Sequence, residues 1–266
     1  MQQQIKKMNS RKDQLAAVDR LLTIMDELRE QCPWDKKQTF ESLRHLTIEE
    51  TYELGDAILS RDLDEIKNEL GDLLLHIAFY ARLGSEEKAF DMADIAHGIS
   101  EKLIYRHPHI YGDVKVENEE DVKKNWEALK LKEGKGKKTV LEGVPRGLPA
   151  LVKAQRIQDK VAGVGFDWEK PEQVWEKVQE ELSEFQTEVA QGNPNDMEAE
   201  FGDVLFSMIN YARFLKINPD TALERTNQKF TQRFNYLEAK AKALGKSLQD
   251  MTLAEMDVYW EEAKKQ

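Results

Sequence analysis

Four carboxylates in the first half of the chain return in the second half, each displaced by the same distance. Glu50, Glu53, Glu69 and Asp72 are matched by Glu181, Glu184, Glu200 and Asp203, and every pair is 131 positions apart (181−50, 184−53, 200−69, 203−72). The residues around them repeat as well. Segment 69–82 laid over segment 200–213 gives seven identities in fourteen positions. The match resumes at an offset of 127, with 101–106 over 228–233, which a four-residue loop deletion explains, and a Trp-Glu pair recurs at Trp126 and Trp260. A chain that contains itself twice is two copies of one supersecondary unit, and each copy must bury its own apolar face. The Gly- and Lys-rich run Glu133–Lys138 has linker composition, so residues 1–133 are expected as one domain, 134–146 as a linker and 147–266 as the second domain.

Apolar residues recur at three- and four-residue steps, as in Leu63, Ile66, Leu70, Leu73, Leu74, Ile77 and Ala81, and no useful strand alternation occurs, so the expected fold class is all-α. The balance of 40% hydrophobic and 33% charged residues with only 14 Gly and 7 Pro agrees. Thr47 with Glu50 and Thr252 with Glu255 have capping-box spacing, Pro171 and Pro194 suit a first helical turn, and the run His107, Pro108, His109 ends another helix.

Acids three apart share one helix face. A break near Ser60–Asp62 leaves Glu53 and Glu69 each about 10 Å from the turn at about 1.5 Å per residue. An antiparallel hairpin therefore brings the four carboxylates level, and Gln191–Pro194 does the same for the second copy. Lone acidic pairs are ordinarily solvated helix faces. Here the pairs are duplicated and embedded in apolar sequence, where unpaired carboxylates are costly to bury. A cation is required between them. Oxygen-only ligands favour magnesium, manganese or calcium over zinc or copper, and magnesium is the usual companion of phosphate oxygens, which points to a nucleotide substrate.

At these residues the sequence resembles the MazG family of nucleoside triphosphate pyrophosphohydrolases, whose signature is Glu-Glu-x-x-Glu, a spacer and Glu-x-x-Asp. Both copies match it, and the likeness extends to Cys32–Asp35, Arg106–His109, Val164–Trp168 and Lys229–Phe234. It is specific to the two-copy bacterial form. The resemblance implies tandem helical-bundle domains, a homodimer, and hydrolysis of ribo- and deoxynucleoside triphosphates between the α- and β-phosphates to a monophosphate and pyrophosphate. It implies that the second copy is the active one, with magnesium (or manganese) on Glu181, Glu184, Glu200 and Asp203 orienting a water for in-line attack. It also implies phosphate and base contacts from Lys177, Lys229, Arg233 and Trp260. Lysine and arginine neutralise phosphate, and tryptophan stacks on any base. The first copy keeps Lys102, Arg106 and Trp126 but has Leu46 where the second has Lys177. Its carboxylates Glu50, Glu53, Glu69 and Asp72 are expected to hold metal in a mainly structural role. His76 faces Ser207 in the repeat and reads as a core or groove residue rather than a ligand.

The formal charge of −11 argues against a nucleic-acid partner. The N-terminal residues have no apolar leader and no apolar run reaches the length of a membrane span, so a cytoplasmic protein is expected, and the single cysteine, Cys32, excludes an intramolecular disulfide. Two rival readings are a ferritin-like di-iron bundle, which needs Glu-x-x-His pairs that this sequence lacks, and a helical interaction module in which metal only stabilises the fold.

Overall fold

A computed structural model of the protein describes residues 8–118, 121–122, 125–126, 129 and 139–265. Every regular element among them is helical, as the periodicity predicts. The chain divides into two compact units, residues 1–117 and 118–266. The run Glu133–Lys138, expected as the heart of the linker, lies outside the described residues. The described remainder of the 134–146 stretch carries a short 3-10 helix, Val140–Gly143, packed against the helix that follows it. No helix among the described residues is long and apolar enough to cross a membrane.

The first unit contains α1 (Arg11–Gln31), α2 (Phe40–Ser60), α3 (Leu63–Glu86), α4 (Met92–Arg106) and the single turn α5 (Pro108–Tyr111). Each start has a chemical cause: Ser10 and Asp13 form a capping box on α1, and the Asp62 carboxylate accepts from the Asp64 and Glu65 amides at the head of α3. Helix α2 stops because Arg61 turns into the left-handed region at φ 59°, which for a non-glycine residue costs about 1–2 kcal/mol. α2 and α3 then pack as an antiparallel hairpin, with α1 and α4 against α3. The core is Met25, Leu43, Ala78, Phe79 and Leu83, with Leu46, Leu75 and Tyr80 among the side chains packed on it. Full burial of a side chain of this size contributes about 1.5–3 kcal/mol.

Thr47 is not a helix start. It lies inside α2, whose cap is Thr39 paired reciprocally with Ser42, and its hydroxyl donates to the Leu43 carbonyl at 3.0 Å while meeting the Tyr80 hydroxyl at 2.8 Å. The capping-box spacing is a start signal only where the backbone is extended, and here it is already helical. The break at His107–His109 does end α4, and Pro108 begins α5.

The second unit contains α6 (Ala150–Ala162), α7 (Pro171–Gln191), α8 (Pro194–Phe214), α9 (Pro219–Ala243) and α10 (Leu253–Ala263). Pro171 and Pro194 occupy first-turn positions and Thr252 with Glu255 forms a capping box, all as predicted. α7 ends at Gly192, φ 77°, the counterpart of Arg61 (192−61 = 131), and here glycine takes the left-handed turn without a Cβ penalty. α7 and α8 repeat the hairpin, α6 lies against α8, and α9 packs on α10. Val174 and Val178 are the most completely buried of its side chains.

In the first unit Arg29 ties three segments together. Its guanidinium donates to both Glu86 carboxylate oxygens at 2.9 Å, to the Gln38 carbonyl at 3.1 Å and to the Asp35 carbonyl. The bond from Arg29 holds the Glu86 carboxyl below its ordinary range. A carboxylate whose folded pKa is depressed contributes stability above its unfolded pKa, about 4.3, and loses it as pH falls through the lower folded value. Glu86→Gln is therefore expected to lower the urea midpoint near pH 7, with the difference from the unaltered protein closing as the pH is taken below about 4. A difference that persists unchanged at low pH would locate the loss in packing instead.

Candidate active site

The two hairpins place acids as the spacing predicts, with one refinement in each. One oxygen from each of Glu181, Glu184 and Glu200 lies within 4.8 Å of the others, and in the first unit the same holds for Glu50, Glu69 and Asp72. Asp203 sits one turn after Glu200 and faces a cavity that Glu181 also lines. Glu53 stands outside the tight trio yet is close enough to push up the pKa of its neighbours. Burial first, and then Glu184, Asp203 and Glu181, raise the Glu200 carboxyl; burial, then Glu53 and Asp72, raise Glu69; burial, then Asp72 and Glu53, raise Glu50. One Glu69 oxygen, Oε2, is buried without a hydrogen-bond partner. Oxygen-only donors, mutually repelled and incompletely satisfied, fit a hard divalent cation such as magnesium or manganese.

Lys177 is one helical turn before Glu181. Its ammonium is 2.8 Å from Glu181 and 2.9 Å from Glu180, and the bonds to these two acids, Glu181 first, hold it firmly protonated. It thus fixes one carboxylate of the trio and puts a positive charge at the cavity wall.

The cavity measures about 530 Å³ and lies wholly in the second unit. Lys177, Glu181, Asp203 and the paired Asp167 and Arg213 form its charged part, and Ile157, Val161, Phe166, Trp168, Val174 and Phe206 are among its apolar walls. Its size is that of a small-molecule site with a few placed polar groups. Arg213 donates to Asp167 through Nη1 at 2.9 Å and to the Asn210 side-chain carbonyl through Nη2 at 2.8 Å, which moors the 163–170 loop to α8. Gln158, 3% exposed, gives its amide N–H to the Phe206 carbonyl at 2.8 Å, while its Oε1 is buried with no partner. An unsatisfied buried acceptor costs about 1–3 kcal/mol.

The repeat offset of 131 shows what the first unit has at the same places. Leu46 replaces Lys177, His76 replaces Ser207 and Phe79 replaces Asn210. Phe79 is 2% exposed and belongs to the core, Leu46 packs on that core, and buried His76 meets Thr47 at 2.9 Å through Nδ1. Burial lowers the pKa of His76. The first hairpin therefore keeps its acids but carries core-packed Leu46 and Phe79 where the second has Lys177 and Asn210 on its cavity wall.

Lys229, Arg233 and Trp260 are carried by α9 and α10. The Arg233 guanidinium is 5.9 Å from the Trp260 ring, which also meets Phe230 at 4.9 Å, but none of the three expected contacts lines the cavity beside Glu181. Gln158, Asn210 and the Asp167–Arg213 pair carried no role in the sequence reading. Two signals pointed to them: the Val164–Trp168 motif, and the positions at which the otherwise matching copies disagree.

The MazG nucleotide pyrophosphohydrolase domain profile matches residues 38–111 and 169–237, two segments that begin 131 residues apart (169−38). The chain is 43% identical over 256 residues to the nucleoside triphosphate pyrophosphohydrolase of Escherichia coli (strain K12), covering 94% of this chain and 97% of that one. It is 42% identical over 249 residues to a nucleoside triphosphate pyrophosphohydrolase/pyrophosphatase MazG of Thermotoga maritima, with coverage of 92% and 95%. Over 246 residues it is 49% identical to the uncharacterized protein YabN of Bacillus subtilis (strain 168), covering 91% of this chain and 50% of that longer one. With the family profile falling on both carboxylate hairpins and relatives matched nearly end to end, this chain belongs to the MazG nucleotide pyrophosphohydrolase family.

Proposed function

We propose that the second unit hydrolyses ribo- and deoxynucleoside triphosphates between the α- and β-phosphates, releasing a nucleoside monophosphate and pyrophosphate. The observation that carries this reading is the convergence of Glu181, Glu184 and Glu200 beside a cavity that also holds Asp203 and Lys177. The end-to-end relatives named as nucleoside triphosphate pyrophosphohydrolases support it. Glu181, Glu184, Glu200 and Asp203 would hold the magnesium ion, which when bound supplies charge neutralisation, polarisation of a phosphoryl oxygen and a more acidic water. The chain's own part is positioning and electrostatics. Lys177 keeps Glu181 aligned and meets an entering phosphate oxygen. The carboxylates orient the attacking water and accept its proton as the phosphoanhydride bond breaks and pyrophosphate leaves in line. Lys229 and Arg233 add positive charge for the triphosphate, with Trp260 beneath the Arg233 guanidinium. In the first unit Glu50, Glu53, Glu69 and Asp72 bind a cation without turnover, because Leu46 and Phe79, packed in the core, stand where the second unit has Lys177 and Asn210.

Incubation with ATP and magnesium followed by anion-exchange chromatography is expected to give AMP and pyrophosphate. Glu184→Ala is expected to lose at least about 10–100-fold in rate, the loss typical of disturbing even the outer partners of a metal site, while Glu53→Ala keeps its rate. ADP as the product, or no turnover, would refute the assignment.

A second outcome tests the cation by stability alone. The Glu200 carboxyl is raised, so without metal its ionised form costs stability at pH above that raised value and nothing below the ordinary carboxylate range. Without metal at pH 7, Glu200→Gln is expected to melt at a higher temperature than the unaltered protein. Magnesium is expected to raise the melting temperature of the unaltered protein and to raise that of the variant by less, because the carboxylates of the first unit respond in both. The same magnesium response in both would remove Glu200 from the ligand set.

The homodimer reading has a surface to support it. Phe201, Leu205 and Met208 leave α8 exposed by 49%, 49% and 43%, and Leu70, Leu74 and Ile77 do the same on α3 at the matching 131-residue offset. A stripe of large apolar side chains repeated at one register calls for a cover, and a second copy supplies it. Light scattering is expected to give twice the 30.8 kDa chain mass, with Leu205→Glu shifting the protein toward monomer. Monomer mass for the unaltered protein would overturn this.

A further inference from the structure

We propose that Tyr236 and Glu262 are positioning residues: their hydrogen bond seats the last turn of α10 on α9 and so holds Trp260 against Arg233, ready for the triphosphate. This rests on the nucleotide reading of the second unit and names what keeps two of its contact residues in place. The need for such a clasp follows from α10 itself. It is eleven residues long, contains no buried residue, and leaves Leu253 and Val258 exposed by 74% and 57%. A helix this short is marginal without tertiary contacts, so its position depends on the few side chains that join it to α9, the helix it packs on.

Those contacts sit at its two ends. At the start, Thr252 and Glu255 form the capping box, and Lys246 Nζ lies 2.8 Å from the Glu255 carboxylate. At the end, the Tyr236 hydroxyl donates to Glu262 Oε2 at 3.1 Å, and Lys240 Nζ lies 3.7 Å from that oxygen and 5.1 Å from the Tyr236 ring centroid. Trp260 belongs to this last turn, two residues before Glu262. Its ring meets Phe230 at 4.9 Å and the Arg233 guanidinium at 5.9 Å, and Arg233 stands three residues before Tyr236 on one face of α9. Helix ends fray first, so the bond at Glu262 governs how long Trp260 stays on Arg233. A guanidinium already held over a ring loses less freedom when it takes a phosphate oxygen. The repeat agrees. The first copy keeps Arg106 and Trp126, yet His109 and Ala128 stand at the counterpart places of Tyr236 and Glu262 (236−109 = 127, as 233−106; 262−128 = 134, as 260−126). The clasp goes with the unit read as active.

Hydrogen exchange tests the structural half of this proposal and calorimetric titration with ATP and magnesium the functional half. Tyr236→Phe keeps the ring and removes only the hydroxyl. Its amides at Trp260–Ala263 are expected to exchange about tenfold faster, and ATP to bind at least about threefold more weakly, part of what a hydrogen bond to a charged group is worth, with kcat unchanged. Glu262→Gln retains an oxygen that accepts from Tyr236 and should keep most of the affinity, whereas Glu262→Leu should behave as Tyr236→Phe does. Trp260→Ala is expected to weaken ATP by itself, and in that background Tyr236→Phe should cost nothing more, because it acts through the ring already removed. A further loss in that background would overturn the positioning role alone, as would an affinity that Trp260→Ala lowers but Tyr236→Phe does not. An affinity indifferent to Trp260→Ala would overturn it together with the part of Trp260 in the nucleotide reading.

Discussion

Two pairs of carboxylates on facing helices repel one another, and the hairpin that holds them together has to be stronger than that repulsion. The register of the hairpin is set at one residue, Arg61 in the first copy and Gly192 in the second, where the chain turns left-handed and starts back. Slipping that turn by one residue would rotate the acids of one helix by about 100° relative to the other and disperse the cluster. The apolar seams beside the acids keep the register: Val174 and Val178 lie on the same helix as Glu181 and are fully buried, so the acid comes with the packing face. The acids are the cost of this arrangement, visible in the raised carboxyls of Glu50, Glu69 and Glu200. A divalent cation held there would remove that cost, which would couple the proposed chemistry to the stability of the hairpin.

The two copies use one hairpin for different ends. In the first, Leu46 and His76 are drawn inward, and Phe79 joins Met25, Leu43, Ala78 and Leu83 in the core. In the second, Lys177, Ser207 and Asn210 stand at those positions and a cavity of about 530 Å³ remains. Packing density and binding space compete for the same volume, and a protein interior without voids is the more stable choice. The open unit recovers part of the loss through polar bonds that do not fill the space: Asp167 to Arg213, Arg213 to Asn210, and Gln158 to the Phe206 carbonyl.

The acids were legible because a fixed offset of 131 residues multiplies a weak signal, Glu-x-x-Glu, into a strong one, and a 3.6-residue period makes the helices plain. Thr252, Pro171 and Pro194 were legible because the chemistry of a helix start is local. Thr47 misled because the same spacing occurs inside a helix, where only the longer-range packing of Leu43 and Tyr80 distinguishes it. Gln158 was invisible for a different reason. Its meaning lies in which of its two amide atoms finds a partner, and that partner, Phe206, is 48 residues away. The disagreements between the copies carried the information, since Asn210 for Phe79 and Lys177 for Leu46 replace apolar bulk with polar groups in an otherwise matching frame.

A chain with a formal charge of −11 repels polyanions at long range, and yet the proposed substrate is itself an anion. The conflict is resolved locally. On the proposed reading, the short charge of a triphosphate would be met by a cation on the trio and by Lys177, whereas a nucleic acid would extend its phosphates over the acidic surface beyond. Screening reduces the general repulsion over about 8–10 Å in physiological salt, but it scarcely reaches groups inside a partly enclosed cavity. An acidic surface of this kind would therefore disfavour a long phosphate chain more than a short one.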